Sequence, residues 1–109
     1  MPRTIKIGSW SYDLPDWAPA RMAIGVLLTT SLAHDVPAMC TADANAGLIY
    51  LCNPNNPTGT LTPREEIVAA LARKPKDALL LVDEAYIHLC DDATVAPLVA
   101  EHADLLVLR

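Results

Sequence analysis

Two polar motifs, each placed directly after an apolar run, contain the residues of this chain that are best suited to chemistry. The first motif, residues 53–59 (NPNNPTG), follows the apolar run 47–52, and the second, residues 83–86 (DEAY), follows the run 78–82. We predict that both runs are buried strands, because short continuous apolar runs are typical of strands that are covered by other elements. The motifs then lie at strand ends, where open α/β sheets bind their ligands.

The side chains of these motifs suit a single planar aromatic ligand. Neighbouring strands lie about 4.8 Å apart, so the ends of two adjacent strands bring their polar groups within reach of one ring. A pyridoxal cofactor needs a carboxylate at its pyridine nitrogen, since the protonated ring is the electron sink, and it needs donors at its phenolic oxygen. Asp83 suits the first role, and the Asn56 amide and the Tyr86 hydroxyl suit the second.

Two helix starts are predicted from the types of residue that cap helices. Asp35 is placed to cap a helix that carries Pro37 in its first turn. Further on, Thr62 is a candidate N-cap, with Pro63 at the first helical position and Glu65 in the place that completes a capping box. Both helices should pack an apolar stripe against the sheet.

The order of apolar runs and helical segments predicts an α/β fold. Strands are expected at 24–28, 47–52, 78–82 and 104–108, with a looser helical stretch at 94–102. Strands that alternate with amphipathic helices favour a mostly parallel sheet with helices packed on its faces, in a three-layer arrangement.

The beginning of the chain has a different character. Residues 1–20 combine Trp, Tyr and Pro without a clear helical or strand period, and we expect poorly defined structure there. The chain of 109 residues is therefore divided into an N-terminal segment, 1–26, and a partial domain, 27–109.

The motifs resemble those of fold-type-I pyridoxal-phosphate-dependent aminotransferases, most closely the histidinol-phosphate aminotransferase group, in which NPNNPTG and DEAY follow successive strands. The resemblance begins near residue 28, extends to the last residue, and implies part of the family's large, cofactor-binding domain. It implies that Asn56, Asp83 and Tyr86 contact pyridoxal 5'-phosphate. It also implies a cis bond before Pro57, a geometry seen in only about 5% of X-Pro bonds.

The activity that the resemblance implies is amino-group transfer between an amino-acid-like donor and a 2-oxo acid. Histidinol phosphate and glutamate are the favoured pair, and members of the group are homodimers. A threonine-phosphate decarboxylase-like enzyme is an alternative, since the cofactor motifs are shared and the residues that recognise the substrate lie elsewhere in the family.

The lysine that attaches the cofactor covalently in the family follows a Ser/Thr-rich turn after the strand at 104–109, and the sequence given ends at Arg109. Lys6, Lys74 and Lys76 are the lysines of this chain, and we expect all of them at the surface. No catalytic residue is therefore assigned, and a non-catalytic, truncated remnant is the second class of interpretation.

Composition and charge exclude other classes. The net charge of −5 is spread along the chain without a basic stripe, so a nucleic-acid partner is not expected. No apolar run reaches the roughly 20 residues that span a bilayer, so we expect a cytoplasmic protein. The resemblance implies a small-molecule substrate, an amino acid or a 2-oxo acid. Cys40, Cys52 and Cys90 are widely spaced, so neither disulfides nor a metal site is expected.

The remaining polar residues are expected to be structural. The three histidines are isolated from one another and lack the spacing of metal ligands. Glu84, Asp91 and Asp92 are expected to form a solvated acidic edge, and Arg109 is expected to have a structural role.

Overall fold

The structure is a computed structural model that describes the backbone of residues 3–7, 10–14 and 23–25 and the continuous stretch 27–109, with side chains from residue 24 onwards except residue 26. Its strands are β1 (Arg3–Ile7), β2 (Trp10–Leu14), β3 (Ala23–Gly25), β4 (Leu48–Cys52), β5 (Leu79–Asp83) and β6 (Leu105–Leu108). Its α-helices are α1 (Val36–Thr41) and α2 (Arg64–Arg73), and 3-10 helices follow at Ile87–Leu89, Asp91–Ala93 and Ala96–Ala100.

The main sheet has the order β3-β4-β5-β6, and all three pairings are parallel. Parallel neighbours need a crossover between them, which α1 supplies between β3 and β4 and α2 supplies between β4 and β5. The predicted α/β class, with a parallel sheet and flanking helices, is confirmed.

One face of this sheet forms the core. Side chains alternate along a strand, so every second residue of β4 and β5 points to the same side. The residues of that side are almost completely buried together with residues of both α-helices: Met39, Ile49, Leu51, Ile67, Ala70, Leu80, Val82 and Leu105. The opposite side carries the more exposed Leu79, Leu106 and Leu108.

Helix α1 begins as predicted. The Asp35 side chain accepts a hydrogen bond from the Ala38 amide at 3.1 Å, and Pro37 lies in the first turn. This cap satisfies one of the amides that a helix start leaves without a partner.

The predicted capping box of α2 is wrong. Pro63 is the N-cap residue, without a side-chain cap, and the helix begins at Arg64. Thr62 is instead held by Asn53, whose Oδ1 accepts from the Thr62 amide at 2.8 Å and whose Nδ2 donates to the Thr62 carbonyl at 3.2 Å. These bonds fix Thr62 in the polar loop before the helix, so tertiary contacts override the local capping signal.

The N-terminal prediction is wrong for the residues that form β1 and β2. These strands pair antiparallel, with Arg3 opposite Leu14 and Ile7 opposite Trp10. β-Branched and aromatic residues with Gly8 and Ser9 between them are a hairpin signal that the Pro and Trp content obscured. The rest of 1–20 lies outside the described residues, and the division of the chain at residue 26 stays a prediction.

Two further predictions need adjustment. The stretch 94–102 forms the 3-10 helix Ala96–Ala100 instead of an α-helix, and the residues before it, Thr94 and Val95, are hydrogen-bonded to Glu84. The first parallel strand is shorter than predicted, and Leu28 forms an isolated antiparallel bridge with His34.

Lys74 is buried, and its predicted surface position is wrong. Its Nζ lies 2.6 Å from Asp104 Oδ2, and its side chain is 2% exposed whereas that of Asp104 is 40% exposed. The pair links the end of α2 to the residue before β6. The hydrogen bond from Lys74 lowers the pKa of the Asp104 carboxyl below its ordinary value.

Removing either partner of this ion pair should have unequal effects. Asp104→Asn leaves the buried ammonium without a carboxylate and should lower the free energy of unfolding by about 2 kcal/mol. This loss is smaller than that for breaking a fully buried ion pair, because Asp104 is partly solvated. Lys74→Met removes the charge together with its desolvation cost and should lose less than about 1 kcal/mol.

Urea unfolding of both variants at neutral pH measures the difference. The depressed pKa means that the carboxylate's contribution is present above its ordinary value of 3.8 and is lost as the pH falls through the folded-state pKa. Wild type and Asp104→Asn should therefore converge in acid. Equal losses from both variants at neutral pH would contradict this role of the ion pair.

Candidate functional site

The two polar motifs start side by side at the carboxyl edge of the sheet. Cys52, the last residue of β4, lies opposite Asp83, the last residue of β5. The Asn53 amide donates to the Asp83 carbonyl at 2.9 Å, which extends the pairing by one step into both motifs. The predicted proximity of the motifs is therefore observed.

Two of the three asparagines of the 53–59 loop stabilise its backbone by hydrogen bonds. Asn53 is fully buried and hydrogen-bonded to Thr62, as described above. The Asn55 side chain donates to Thr58 Oγ1 at 2.6 Å, and its carbonyl accepts from the Gly59 amide at 2.7 Å. Gly59 has a φ of 72°, in the left-handed region that glycine adopts without a steric penalty.

Asn56, in contrast, is exposed at the tip of this loop. The peptide bond between Asn56 and Pro57 is cis, which confirms the prediction, and the bond between Asn53 and Pro54 is cis as well. The loop therefore presents the Asn56 amide to solvent while its neighbours hold the backbone.

The two other predicted site residues lie on the adjoining motif. Asp83 is half-buried at the end of β5, and Tyr86 is 43% exposed three residues later. A carboxylate, a phenol and an amide are thus accessible at one edge of the sheet, and their binding role stays a prediction at this point.

Both oxygens of the Asp83 carboxylate accept hydrogen bonds. The Tyr50 hydroxyl donates to Oδ2 at 2.5 Å, and the Ala85 amide donates to Oδ1 at 3.0 Å. Sequence reasoning missed Tyr50. Cys52 lies opposite Asp83, so Tyr50, two residues earlier on β4, points to the same face of the sheet as Asp83.

Behind the loop, a buried histidine contacts the end of β4. His34 is 4% exposed, and its Nε2 lies 3.1 Å from the Cys52 carbonyl oxygen, to which it donates when that nitrogen carries the proton. Its Nδ1 is buried with no hydrogen-bond partner among the described residues. Burial lowers the pKa of His34, and the hydrogen bond to the Cys52 backbone opposes that shift.

This histidine should make the stability of the loop region dependent on pH. Its folded-state pKa is below the ordinary value of 6.5, so the unfolded state takes up a proton first as the pH falls. The stability contribution is complete above pH 6.5 and is lost below it, with a slope of at most about 1.4 kcal/mol per pH unit. Urea unfolding between pH 8 and pH 5 measures this slope.

The variant His34→Gln should flatten the pH dependence in that range. His88→Gln, which changes an exposed imidazole, is the matched control and should retain the wild-type slope. A wild-type slope that survives His34→Gln unchanged would assign the pH dependence to other groups.

Glu84 is not part of a solvated acidic edge, and that prediction is wrong for this residue. Its side chain is 0% exposed. Its Oε1 accepts from the Val95 amide at 2.7 Å, and its Oε2 accepts from Thr94 Oγ1 at 2.7 Å and from Arg109 Nε at 3.3 Å. Asp91 and Asp92 are exposed, as expected. Arg109 also donates to Thr94 Oγ1 at 2.8 Å, which agrees with its predicted structural role.

The described lysine side chains are remote from this edge in the fold. Lys74 is paired with Asp104, just before β6 begins, and Lys76 precedes the amino end of β5. The side chain of Lys6 lies outside the described residues. Within residues 24–25 and 27–109, no group of three or more His, Cys, Asp or Glu side chains is arranged to hold a metal ion. The described helices are too short or too polar to cross a membrane.

The parallel sheet with two polar motifs at its carboxyl edge is the arrangement of an α/β ligand-binding domain. The family model for aminotransferase class I and II matches residues 24–109, and the chain belongs to that family.

Similar proteins support this assignment. A histidinol-phosphate aminotransferase of Aeromonas hydrophila is 43% identical over 82 residues, which are 75% of this chain and 23% of that enzyme. An aromatic amino acid aminotransferase of Cutibacterium acnes is 44% identical over 90 residues, 79% of this chain and 26% of that enzyme.

A solved structure shows the same fold. The histidinol-phosphate aminotransferase of Sinorhizobium meliloti, in complex with pyridoxal-5'-phosphate, has a TM-score of 0.65 and 28% identity, and the match covers 80% of this chain and 24% of that one. The chain thus spans about a quarter of the length of these relatives.

Proposed function

We propose that these residues form the part of an aminotransferase site that contacts the ring of pyridoxal 5'-phosphate. The observation that carries the proposal is the half-buried Asp83 carboxylate, which is oriented by two donors at the carboxyl edge of a parallel sheet. Each carboxylate oxygen has about two acceptor positions, so both oxygens retain capacity for a further donor. Support also comes from the family match and from the cofactor named for the Sinorhizobium meliloti enzyme.

The side chains at this edge fit the cofactor. Asp83 would pair with the protonated pyridine nitrogen, and the accessible Asn56 amide and Tyr86 hydroxyl would donate to the phenolic oxygen. When it is bound, the cofactor supplies an electron-withdrawing ring that stabilises negative charge at the α-carbon of the substrate. The chain's own contribution is to orient the ring and to keep an anion beside its nitrogen.

For the whole activity we propose amino-group transfer between an amino-acid-like donor and a 2-oxo acid in histidine biosynthesis, with histidinol phosphate and glutamate as the favoured pair. The relatives named histidinol-phosphate aminotransferase favour this pair. An aromatic amino acid is the second candidate amino substrate, because the aromatic amino acid aminotransferase of Cutibacterium acnes is 44% identical to this chain over 90 residues.

We also propose that the protein is cytoplasmic and homodimeric. Cys40 and Cys52 are buried, unpaired thiols, which suits a reducing compartment. The exposed leucines on the second face of the sheet support association with further protein surface.

The binding of pyridoxamine 5'-phosphate tests the proposed site, because this form of the cofactor needs no lysine. Isothermal titration calorimetry with the 109-residue chain should show saturable binding. No binding of pyridoxamine 5'-phosphate would contradict the proposal.

A non-catalytic role for this chain is the second candidate function. It is favoured by the position of Lys74, which is buried and paired with Asp104, and by that of Lys76, which precedes β5. Borohydride treatment of the chain with pyridoxal 5'-phosphate, followed by mass spectrometry, separates the two candidates. A stoichiometric adduct at one lysine would favour a catalytic chain, and reversible binding without an adduct would favour the non-catalytic role.

A further inference from the structure

Tyr50 lies on the same face of the sheet as Asp83, one diagonal step away. The register of β4 and β5 places Cys52 opposite Asp83 and Tyr50 opposite Leu81. Residues related in this way are within reach of each other when one side chain is long and aromatic. The Tyr50 side chain bridges this step and ends at the Asp83 carboxylate.

The contact fixes the orientation of the carboxylate. Tyr50 donates to Oδ2 at 2.5 Å while the Ala85 amide donates to Oδ1 at 3.0 Å, so both oxygens are held from different elements. Burial, followed by the hydrogen bond to Asp83, raises the pKa of the Tyr50 phenol. The hydroxyl therefore remains a donor throughout the pH range in which proteins are folded.

The Tyr50 hydroxyl hydrogen-bonds to the Asp83 carboxylate, and the Cys52 thiol is a second polar neighbour on the same face of the sheet. Its ring is half-buried on the face of the sheet opposite the core, where the neighbouring strand β5 contributes Leu79 and Leu81. A phenylalanine would give the same apolar contacts. The hydroxyl adds the hydrogen bond to Asp83, whose carboxylate is accessible at the edge of the sheet.

We propose that Tyr50 is a positioning residue that aims the Asp83 carboxylate at the pyridine nitrogen of the cofactor. The inference rests on the proposed function, and it assigns to this chain a residue outside the two polar motifs. Without the hydroxyl, Oδ2 loses its only described protein donor, and the carboxylate can rotate away from the orientation that meets the ring nitrogen.

Two ligands and one substitution test this role. Pyridoxamine 5'-phosphate has the pyridine nitrogen, and its 1-deaza analogue has a C–H group in that place. Tyr50→Phe should weaken binding of pyridoxamine 5'-phosphate about fivefold, the loss expected for one hydrogen bond, and should leave binding of the deaza analogue unchanged. Adding Tyr50→Phe to Asp83→Asn should have no further effect on either ligand, since the two residues act together.

The outcomes separate this inference from the proposed function. If the wild-type chain binds neither ligand, the proposed cofactor site is wrong. If wild type binds both and Tyr50→Phe weakens both equally, the cofactor site stands and the positioning role is overturned. Partial unfolding of the variant would lower both apparent affinities by the same factor, so the ratio between the ligands still decides.

Discussion

Replacing Glu84 with alanine should lower the free energy of unfolding by about 3 to 4 kcal/mol, the largest loss we expect from a single substitution in this chain. The reason is the set of donors that would lose their acceptor. The Val95 amide is completely buried and donates only 2.7 Å from Glu84 Oε1, and the Thr94 hydroxyl donates to Oε2 at the same distance. Buried donors without acceptors incur their full desolvation cost.

Conservative and distant variants make this prediction specific. Glu84→Gln keeps the shape of the side chain but loses the charge that faces Arg109, and it should cost roughly 1 to 2 kcal/mol. Glu101→Ala changes an exposed carboxylate at the end of the 3-10 helix Ala96–Ala100 and should change stability by less than about 0.5 kcal/mol. Urea unfolding followed by circular dichroism gives all three values. A loss from Glu84→Ala no larger than that from Glu101→Ala would show that the network does not stabilise the fold.

The network also has a consequence for the site. The Glu84 amide donates to the Leu108 carbonyl at 2.8 Å, and its side chain holds Thr94 and Arg109. The residue that directly follows Asp83 is therefore joined to the ends of β5 and β6. Asp83 is positioned by the backbone pairing of β5 with β4 and by the buried carboxylate of the next residue, Glu84.

The second large effect is expected at Asp83 itself. Asp83→Asn should weaken binding of pyridoxamine 5'-phosphate roughly thirtyfold, because a hydrogen bond between two charged groups is replaced by one with a neutral amide. Asparagine has nearly the same size, and its Oδ1 can still accept from the Ala85 amide, so the fold should be retained. Calorimetric titration measures the affinity, and thermal unfolding checks the fold.

Asp91→Asn is the matched control for this substitution. Asp91 is an exposed aspartate in the 3-10 helix Asp91–Ala93, and its replacement should leave cofactor affinity unchanged. Equal affinity of wild type and Asp83→Asn would mean that the carboxylate does not face the ring nitrogen.

Much of the fold could be predicted from the sequence because the apolar runs are short, continuous and separated by segments with helical signals. The predicted runs 47–52 and 78–82 correspond to the paired parallel strands β4 and β5, and Asp35 caps α1. Predictions from local signals failed where a distant residue supplied the decisive contact. Thr62 has a capping sequence, but Asn53 holds its backbone.

The acidic residues show the same limit in another way. Glu84 was grouped with Asp91 and Asp92 because all three are charged and close in sequence. Strand alternation gives a different expectation, since residue 84 continues the inward side of Leu80 and Val82. Glu84 accepts hydrogen bonds from Thr94 and Val95 because the folded chain brings these residues beside it, and a local sequence pattern does not predict that contact.

For the site, sequence alone brought Asn56, Asp83 and Tyr86 together, and the structure places all three at one edge of the sheet. Tyr50 lies inside the apolar run 47–52, which is predicted to be a buried strand, so the sequence alone does not single it out. Its contact with Asp83 depends on the register between β4 and β5, and register follows from packing as well as from the pattern of a single strand.

The most direct test of the cofactor-site assignment is a map of backbone amide chemical shifts by NMR during titration of the chain with pyridoxamine 5'-phosphate. We predict that the largest changes occur at Asn56, Asp83, Ala85 and Tyr86, with small changes at Lys74 and Lys76, which lie before the amino ends of the strands. Saturable binding with its largest changes away from the 53–59 loop and the end of β5 would contradict the assignment of this edge as the cofactor site.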